Sequence, residues 1–315
     1  MKSRKCTSLL LTLAFMLALT ACTAKVNESP SSSSAPTDGA ARTVTFTDMT
    51  GRTITLEDEA ERIVALTAAD CEILYALGAS DKLVGRGEYC DYPAEVLNIP
   101  SVQSGSETNI EQIIALKPDV LVMGTIDQTE EQVASLEAAG IKVVVSDADD
   151  IEGVYTAVNM LGTLTGNTEE AASVIDSMKS TFAQVSSNDT TGDKKTVYFE
   201  VSPLQYGLWT AGSDTFMDEI ATMLGLENVF SDISGWGEIS EEQVLSRNPD
   251  YIVTISMYFG EGPTPEEEIM SRAGWENVEA VKTGAILNLA NNEISRPAPR
   301  LAEGAKLMYD FINNN

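Results

Sequence analysis

The sequence predicts an α/β protein made of two similar lobes, because the chain repeats itself once and alternates strand and helix patterns. The segment at 111–122 returns 131 residues later, at 242–253. The identical residues are Glu111, Gln112, Pro118, Asp119 and Val122, which return as Glu242, Gln243, Pro249, Asp250 and Val253. Each copy is typical of a short helix, a Pro-Asp turn and a buried strand. Two such segments predict two lobes of one design.

A weaker echo supports the duplication. Glu72-Ile73 precedes Leu77-Gly78 in the first half, and Glu219-Ile220 precedes Leu224-Gly225 in the second. In both copies the glycine stands where a helix would end in a left-handed cap. Because the two echoes occur in the same order, the halves are expected to share their topology.

Short apolar runs between helical patterns predict the strands of two parallel sheets. They lie at 63–66, 83–85, 120–123 and 142–145 in the first lobe and at 196–201, 251–255 and 285–289 in the second. Thr168 is predicted to cap about 17 residues of helical pattern with acids in its first turn. No return strand follows, so this helix is the expected connection. The expected division is a first lobe at 43–167, a linker helix at 168–190 and a second lobe at 191–315, closed by a helix at 299–311.

The first 42 residues predict export and a lipid anchor. A basic start is followed by an apolar run at 9–19, which is about the length of a signal-peptide core and too short to span a bilayer. Leu19-Thr20-Ala21-Cys22 resembles the bacterial lipobox, in which the cysteine is acylated. The expected organisation is a signal peptide at 1–21 and a tether at 22–42, rich in serine and proline, that cannot build a core. The protein is therefore expected at the extracytoplasmic face of the cell membrane.

Charge and histidine content exclude several classes of function. The net charge is −28, and removal of residues 1–21, which carry three basic residues and no acid, would make it −31. Such a chain is not expected to bind nucleic acid or anionic lipid head groups. The sequence has no histidine, the commonest transition-metal ligand and general base. We therefore predict no metal site, no cofactor and no catalytic residue.

Two cysteines remain once Cys6 leaves with the signal and Cys22 carries lipid. In an exported protein Cys71 and Cys90 would form one disulfide or stay as two free thiols, and the residues alone leave both states open.

The motifs together resemble the periplasmic binding proteins that serve ABC importers of cobalamin, ferric siderophores and haem. The resemblance runs from about Arg62 to the C-terminus. It rests on the two Glu-containing repeats, on the run from Gly85 to Pro93 and on the run from Ser295 to Leu301. The resemblance implies two Rossmann-like lobes joined by one rigid helix, a solute held in the cleft between them, and a monomer that hands its solute to a permease and its ATPase.

The resemblance also implies roles for individual residues. Glu111 and Glu242 match the glutamates that dock each lobe onto permease arginines, which suits a pseudo-symmetric partner. Tyr89, Trp209 and Trp236 match aromatic positions that surround a corrin ring in cobalamin-binding members, and Arg296 matches an arginine near the ligand. Arg86 is a further candidate for the ligand site.

Aromatic walls with a single cation suit a large, flat, amphipathic ligand with amide or carboxylate edges. Trp209 is expected near a strand end and Trp236, between two glycines, in a loop, whereas Trp275 is expected in the core or on a helix surface. Gly105 and Gly124 stand where the cobalamin binder carries tryptophans, so the first-lobe face of the cleft is expected to be barer.

Four alternatives remain beside a corrinoid binder. A ferric siderophore or haem would keep the fold, although siderophore sites often use several arginines. A zinc or manganese binder would require histidines. An enzyme is disfavoured because Gly85-x-Gly87 does not continue as a nucleotide-binding loop and no Gly-x-Ser-x-Gly motif is present. A purely structural lipoprotein would not need the aromatic cleft.

Overall fold

The computed structural model describes residues 43–105, 108–125, 130–186, 194–257 and 260–314. The predicted signal peptide (1–21), the lipidation site Cys22 and the tether (22–42) lie outside the described residues. The described strands are β1 Val44–Thr47, β2 Thr53–Leu56, β3 Ile63–Ala65, β4 Leu83–Gly87, β5 Ser101–Val102, β6 Val120–Met123, β7 Lys142–Val145, β8 Thr196–Ser202, β9 Leu208–Ala211, β10 Glu227–Asn228, β11 Trp236–Ile239, β12 Tyr251–Thr254 and β13 Ile286–Asn288. The described α-helices are α1 Ala68–Ala76, α2 Ile110–Leu116, α3 Glu130–Ala138, α4 Ile151–Thr165, α5 Thr168–Val185, α6 Phe216–Met223, α7 Glu241–Arg247, α8 Pro265–Ser271, α9 Glu279–Thr283 and α10 Leu301–Asn314.

Each lobe is built on its own sheet. The first sheet has the order β5-β4-β3-β6-β7 and is wholly parallel, and an antiparallel hairpin of β1 and β2 precedes it. The second has the order β11-β9-β8-β12-β13, with β10 also beside β8. Its strands β8, β10, β12 and β13 are parallel, and β9 and β11 are antiparallel. All seven predicted strands are present, with ends that differ by at most two residues, and the two-lobed α/β fold is confirmed.

One element of the second sheet contradicts the sequence-based expectation. Trp236 does not lie in a loop but begins β11, which pairs with β9. The flanking glycines serve the strand: Gly235 takes a positive φ of 70° just before it. A side chain at Gly237 would place its Cβ 2.7 Å from Ile233 Cγ2. The left-handed backbone at Gly235 and the close Ile233 side chain at Gly237 therefore explain the two glycines.

The duplicated segments fold alike in detail. The side chains of Asn109 and Ser240 accept hydrogen bonds from the N–H groups of Gln112 and Gln243 and so begin α2 and α7. Both helices end in a left-handed residue: Lys117 has φ 49° and Asn248 has φ 47°. Satisfied N-termini and left-handed ends fix the short helices before the buried strands β6 and β12.

The linker helix α5 crosses between the lobes. Its buried residues, Ala171, Ile175, Met178, Phe182 and Val185, recur at helical spacing along one face. This helix packs against α4 of the first lobe and α10 at the end of the chain. A Cβ at Gly162 would lie 2.6 Å from that of Ala171, so glycine permits the close α4–α5 contact. The predicted cap is wrong by one position, because Asn167 precedes the helix and Thr168 is its first residue.

Alternate residues of the central strands face different cores. Ile63, Ala65, Val197 and Phe199 belong to one large apolar cluster to which both lobes contribute. Their neighbours face two smaller clusters, one per lobe, and Trp275 is fully buried in that of the second lobe. Strands buried on both faces read as continuous apolar runs, which is why they are visible in the sequence. None of the described helices is long and apolar enough to cross a bilayer.

Candidate functional site

Two cavities open near the carboxyl ends of the parallel strands, where α/β sheets bind ligands. The first, of about 310 Å³, is called the interlobe cavity because both lobes line it. Its lining residues are Leu66, Thr67, Ala68, Ala69, Asp70, Tyr89, Ser104, Gly105, Gly124, Ser146, Asp147, Ala148, Ser295, Arg296 and Pro297. The second, of about 730 Å³, is called the second-lobe cavity and lies beyond β8 and β12. Both volumes are in the range of small-molecule sites.

Asp70 is the buried carboxylate of the interlobe cavity. The Thr67 hydroxyl accepts from the Asp70 N–H at 3.1 Å and donates to Asp70 Oδ2, which begins α1. The residue is 1% exposed, and Oδ1 has no hydrogen-bond partner in the structure. Burial raises the pKa of Asp70 to about 6, against the lowering effect of the Thr67 and Ser146 hydroxyls, and Asp147 adds to the rise. Asp70 is therefore a buried carboxyl that hydroxyl groups of its own lobe hold, with no cation among its described contacts.

Arg296 lines the same cavity but is already engaged by carboxylates. Its Nη1 donates to Glu72 Oε1 at 3.0 Å and to Asp91 Oδ1 at 2.6 Å, and its Nη2 donates to the Tyr89 carbonyl at 3.3 Å. Arg300 donates to both oxygens of Glu72, at 2.9 and 2.7 Å. These contacts join the segment before α10 to α1 and to the loop after β4. The Arg296 guanidinium is thus paired with carboxylates of the first lobe, and these contacts hold the two lobes together.

A second set of contacts ties the lobes on the side of α4. The Ile151 N–H donates to Glu219 Oε2 at 2.7 Å, and the Phe216 N–H donates to the Asp149 carbonyl at 2.8 Å. Burial raises the pKa of Glu219, the bond from Ile151 opposes the shift, and the nearby acids Asp150, Asp218 and Glu152 add to it. The start of α6 therefore abuts the start of α4.

Tyr89 stands at the rim of the interlobe cavity with 75% of its surface exposed. Gly105 and Gly124 line the same cavity. A Cβ at Gly124 would meet only Thr67 Cγ2 at 3.5 Å and Ser146 O at 3.9 Å, so the backbone there is compatible with a larger residue. The barer first-lobe face expected from these glycines is thus open space beside Asp70.

Trp209 and Trp236 form an exposed aromatic pair on the second lobe. Trp209 is paired with Glu238, and Trp236 is paired with Ala211, which places both tryptophans on one face of the β9–β11 ladder. They are 41% and 39% exposed, and the Trp236 ring packs 5.5 Å from that of Phe216. Neither tryptophan lines either cavity.

Arg86 and the two cysteines lie inside the first lobe. Arg86 is buried in β4 and donates to the carbonyls of Gly87 and Glu88, apart from both cavities. Cys71 and Cys90 are buried free thiols. A hydrogen bond with Cys90, together with burial, raises the pKa of Cys71. Of the two states left open by the sequence, the structure has the free thiols, directly behind the cavity residues Asp70 and Tyr89.

Glu111 and Glu242 are exposed second residues of α2 and α7, the equivalent positions of the repeat. The Glu242 N–H and the Ser240 hydroxyl lower the pKa of Glu242. One carboxylate per lobe is therefore presented to solvent, as the docking role would require.

One residue that lines the second-lobe cavity, Glu200, is a carboxylate paired with an arginine. Glu200 receives bonds from Nη1 and Nη2 of Arg272 at 2.7 and 2.8 Å. The two side chains are 1% and 2% exposed. Tyr206 at the rim of this cavity is highly exposed. Within the described residues no group of three or more Cys, Asp or Glu side chains is placed to hold a metal ion.

Sequence reasoning missed Asp70 and the lining pair Ser146-Asp147. Two signals could have found them. Thr67-x-x-Asp70 has the spacing of a helix-capping pair, and Ser146 directly follows a parallel strand, where ligand-binding residues concentrate.

Comparisons with known proteins agree with this geometry. The pattern of the periplasmic binding protein family matches residues 63–292. An uncharacterized ABC transporter substrate-binding lipoprotein of Bacillus subtilis (strain 168) is 31% identical over 85% of each chain. A vitamin B12-binding protein of Salmonella choleraesuis is 30% identical over 81% of this chain and 91% of its own. The crystal structure of a possible iron-binding (periplasmic solute-binding) protein of Staphylococcus epidermidis aligns with a TM-score of 0.66 and 30% identity, over 81% of this chain and 99% of its own. The chain therefore belongs to the periplasmic binding protein family, the solute-binding components of ABC importers.

Proposed function

We propose that this chain is a lipoprotein, anchored through Cys22 at the extracytoplasmic face of the membrane, that captures a corrinoid and delivers it to an ABC permease. The observation that carries the corrinoid is the combination of exposed aromatic rings with a cavity rich in hydrogen-bond acceptors. Tyr89, Trp209 and Trp236 offer faces for a flat macrocycle. A corrinoid also carries amide N–H donors at its edge, which suit the interlobe cavity.

The pairing of Arg296 with two protein carboxylates also supports a corrinoid over haem. A haem presents carboxylates, which would need a free cation, and Arg296 is the sole cationic residue among the described lining residues of the interlobe cavity. Because Glu72 and Asp91 already bind it, a carboxylate ligand would compete with two protein carboxylates. The relative named as a vitamin B12-binding protein is consistent with an amide-edged ligand.

The ligand is tested by titrating the full chain in detergent with cyanocobalamin, ferric hydroxamate and haemin, following tryptophan fluorescence. We expect cyanocobalamin to quench at micromolar concentration or below. Trp209→Phe and Trp236→Phe should each remove part of the quenching, whereas Trp275→Phe, in the buried core, should leave the ligand-induced change intact. Saturable binding of haemin or the siderophore without binding of cyanocobalamin would instead assign an iron-chelate ligand.

The docking role of Glu111 and Glu242 is tested separately from ligand binding. The double variant Glu111→Ala/Glu242→Ala should bind ligand as the parent does and lose about tenfold or more in uptake, because a rim charge on each lobe would be lost. Glu303→Ala, an exposed acid on α10, is the matched control and should leave uptake unchanged. Loss of ligand affinity in the double variant would refute the docking assignment.

A further inference from the structure

Two arginines and two carboxylates form an ion-pair cluster where the lobes meet. Arg296 Nη1 lies 3.0 Å from Glu72 Oε1 and 2.6 Å from Asp91 Oδ1, and Arg300 Nη2 lies 2.7 Å from Glu72 Oε1. Glu72 is thus shared by both arginines, whereas the carboxylate of Asp91 is bonded, among the described contacts, to Arg296 alone. The four charges balance, so the removal of either carboxylate would leave one positive charge in excess.

The cluster presents its guanidinium to the interlobe cavity and keeps its carboxylates behind it. Arg296 lines that cavity, whereas Glu72 and Asp91 are not among the described lining residues. A solute therefore meets N–H groups whose positive charge is already balanced by the protein. Such a guanidinium can donate to a neutral carbonyl oxygen, but a carboxylate at the same place would add a buried negative charge without a free cation.

The second-lobe cavity has the opposite arrangement. Glu200 and Glu268 line it, and Arg272, which binds both, is not among its described lining residues. Each cavity therefore adjoins an arginine held between two carboxylates, but the two cavities present groups of opposite sign. The exposure of N–H groups to a cavity is thus a property of the interlobe site and not of every such cluster in this protein.

The two carboxylates that bind Arg296 differ in burial. The side chain of Glu72 is 3% exposed and receives bonds from two arginines, so it fixes the position of both. The side chain of Asp91, in the loop after β4, is 48% exposed. Loss of the Asp91 charge would therefore leave Arg296 in place, held by Glu72, but with its positive charge no longer balanced.

We propose that Asp91 is a specificity-determining residue of the solute site, which balances the charge of Arg296 so that the interlobe cavity takes an amide edge and discriminates against a carboxylate. The inference rests on the proposed function and names the residue that sets this choice. The amide carbonyl accepts from the guanidinium, whereas a carboxylate competes with Asp91 for it, which disfavours the wrong ligand.

The test uses ligands that differ at one edge group: cyanocobalamin and its monocarboxylic acids, in which one propionamide is hydrolysed. Isothermal titration calorimetry at neutral pH on the full chain in detergent should show cyanocobalamin preferred over at least one of the acids by about tenfold. Asp91→Asn keeps the shape of the side chain and removes its charge, so the ratio for that acid should fall to about threefold or less. The fall should come from tighter binding of the acid, with the affinity for cyanocobalamin changed by less than about twofold.

Two further variants separate the pairing with Arg296 from a general effect of charge. Glu88→Gln removes an exposed acid of the same loop whose side chain is not among the described partners of Arg296, and it should leave the ratio as in the parent protein. Asp91→Glu keeps the charge and should keep the preference for cyanocobalamin. An unchanged ratio in Asp91→Asn would overturn the proposal, as would an equal fall in Glu88→Gln.

A second ligand pair distinguishes failure of this proposal from failure of the proposed function. If the parent protein binds haemin and not cyanocobalamin, the corrinoid assignment fails, and Asp91 is tested on haemin and its dimethyl ester. Asp91→Asn should then raise the preference for haemin over the ester by about threefold or more, because the unbalanced charge of Arg296 attracts a carboxylate. An unchanged preference would refute the role of Asp91 as well.

Discussion

The two lobes each bury a carboxylate in the wall of a cavity, and they compensate its charge differently. In the second lobe Glu200 receives two hydrogen bonds from Arg272, which also binds Glu268. In the first lobe Asp70 has hydroxyl neighbours and, among the described contacts, no cation. Glu200 lies in β8 and Asp70 in α1, so the two carboxylates occupy different positions of the duplicated framework. A buried carboxylate with a cation is stabilised by it, whereas one without a cation lowers the stability of the folded protein.

Removing the cation from the second lobe should produce the largest change in stability. Burial lowers the pKa of Arg272, but the hydrogen bonds that it donates to Glu200 and Glu268 outweigh this and raise it, so the residue is fully charged. Burial raises the pKa of Glu200 even beside Arg272. Arg272→Ala leaves this buried carboxyl without its cation, and we expect the free energy of unfolding to fall by about 3–5 kcal/mol. Guanidinium denaturation measures this loss.

A double variant checks that the loss comes from the orphaned charge. Arg272→Met with Glu200→Gln removes both charges and keeps similar volumes, so most of the stability lost in Arg272→Ala should return. If the double variant is as unstable as the single one, the stacking of the Arg272 guanidinium on Trp275, with Cζ 4.6 Å from the ring centroid, is the larger contribution.

Removing the charge of Asp70 should raise the free energy of unfolding, opposite to the effect of Arg272→Ala, and the gain should depend on pH. The folded pKa of Asp70, about 6, lies above its unfolded value of 3.8, because burial disfavours the ionised form. The folded state therefore binds the proton more tightly, and stability falls as pH rises from about 4 to 6. The penalty, about 3 kcal/mol, is complete above pH 6 and absent below pH 4. Asp147 and Cys71 are the titratable groups that couple to Asp70.

Asp70→Asn should thus stabilise the protein by about 3 kcal/mol more at pH 7.5 than at pH 4, in denaturation curves recorded at both values. Asp218→Asn controls for loss of a carboxylate at the start of a helix. An equal effect of Asp70→Asn at the two pH values would show that Asp70 is not destabilised by its charge, and would remove the contrast with Glu200.

The contrast between the lobes also shows what the sequence could predict. Seven of the nine described parallel strands were visible because strands buried on both faces read as local apolar runs. The antiparallel β11 was missed because Gly235 and Gly237 interrupt the alternation that marks such strands. The pairing of Arg296 with Glu72 could not be read at all, since the two residues are 224 positions apart in sequence. The burial of Asp70 without a cation depends on which side chains lie around it in space, and no local pattern reports that.

The smallest expected effect concerns the left-handed residues that end α2 and α7. Lys117 has φ 49°, a conformation that is sterically unfavourable for a residue with a side chain. Arg62 Nε donates to the Lys117 carbonyl, a backbone group that glycine would keep. Lys117→Gly should therefore stabilise the protein by about 0.5 kcal/mol, after the larger entropy loss of glycine. Asn248 tolerates φ 47° better, and its side-chain oxygen accepts from the Glu279 N–H at 2.8 Å. Asn248→Gly should instead destabilise by about 1 kcal/mol. Urea denaturation measures the change in the free energy of unfolding for both variants. Opposite signs would show that the Asn248 side-chain hydrogen bond matters, and the same sign would show that the left-handed conformation alone decides both.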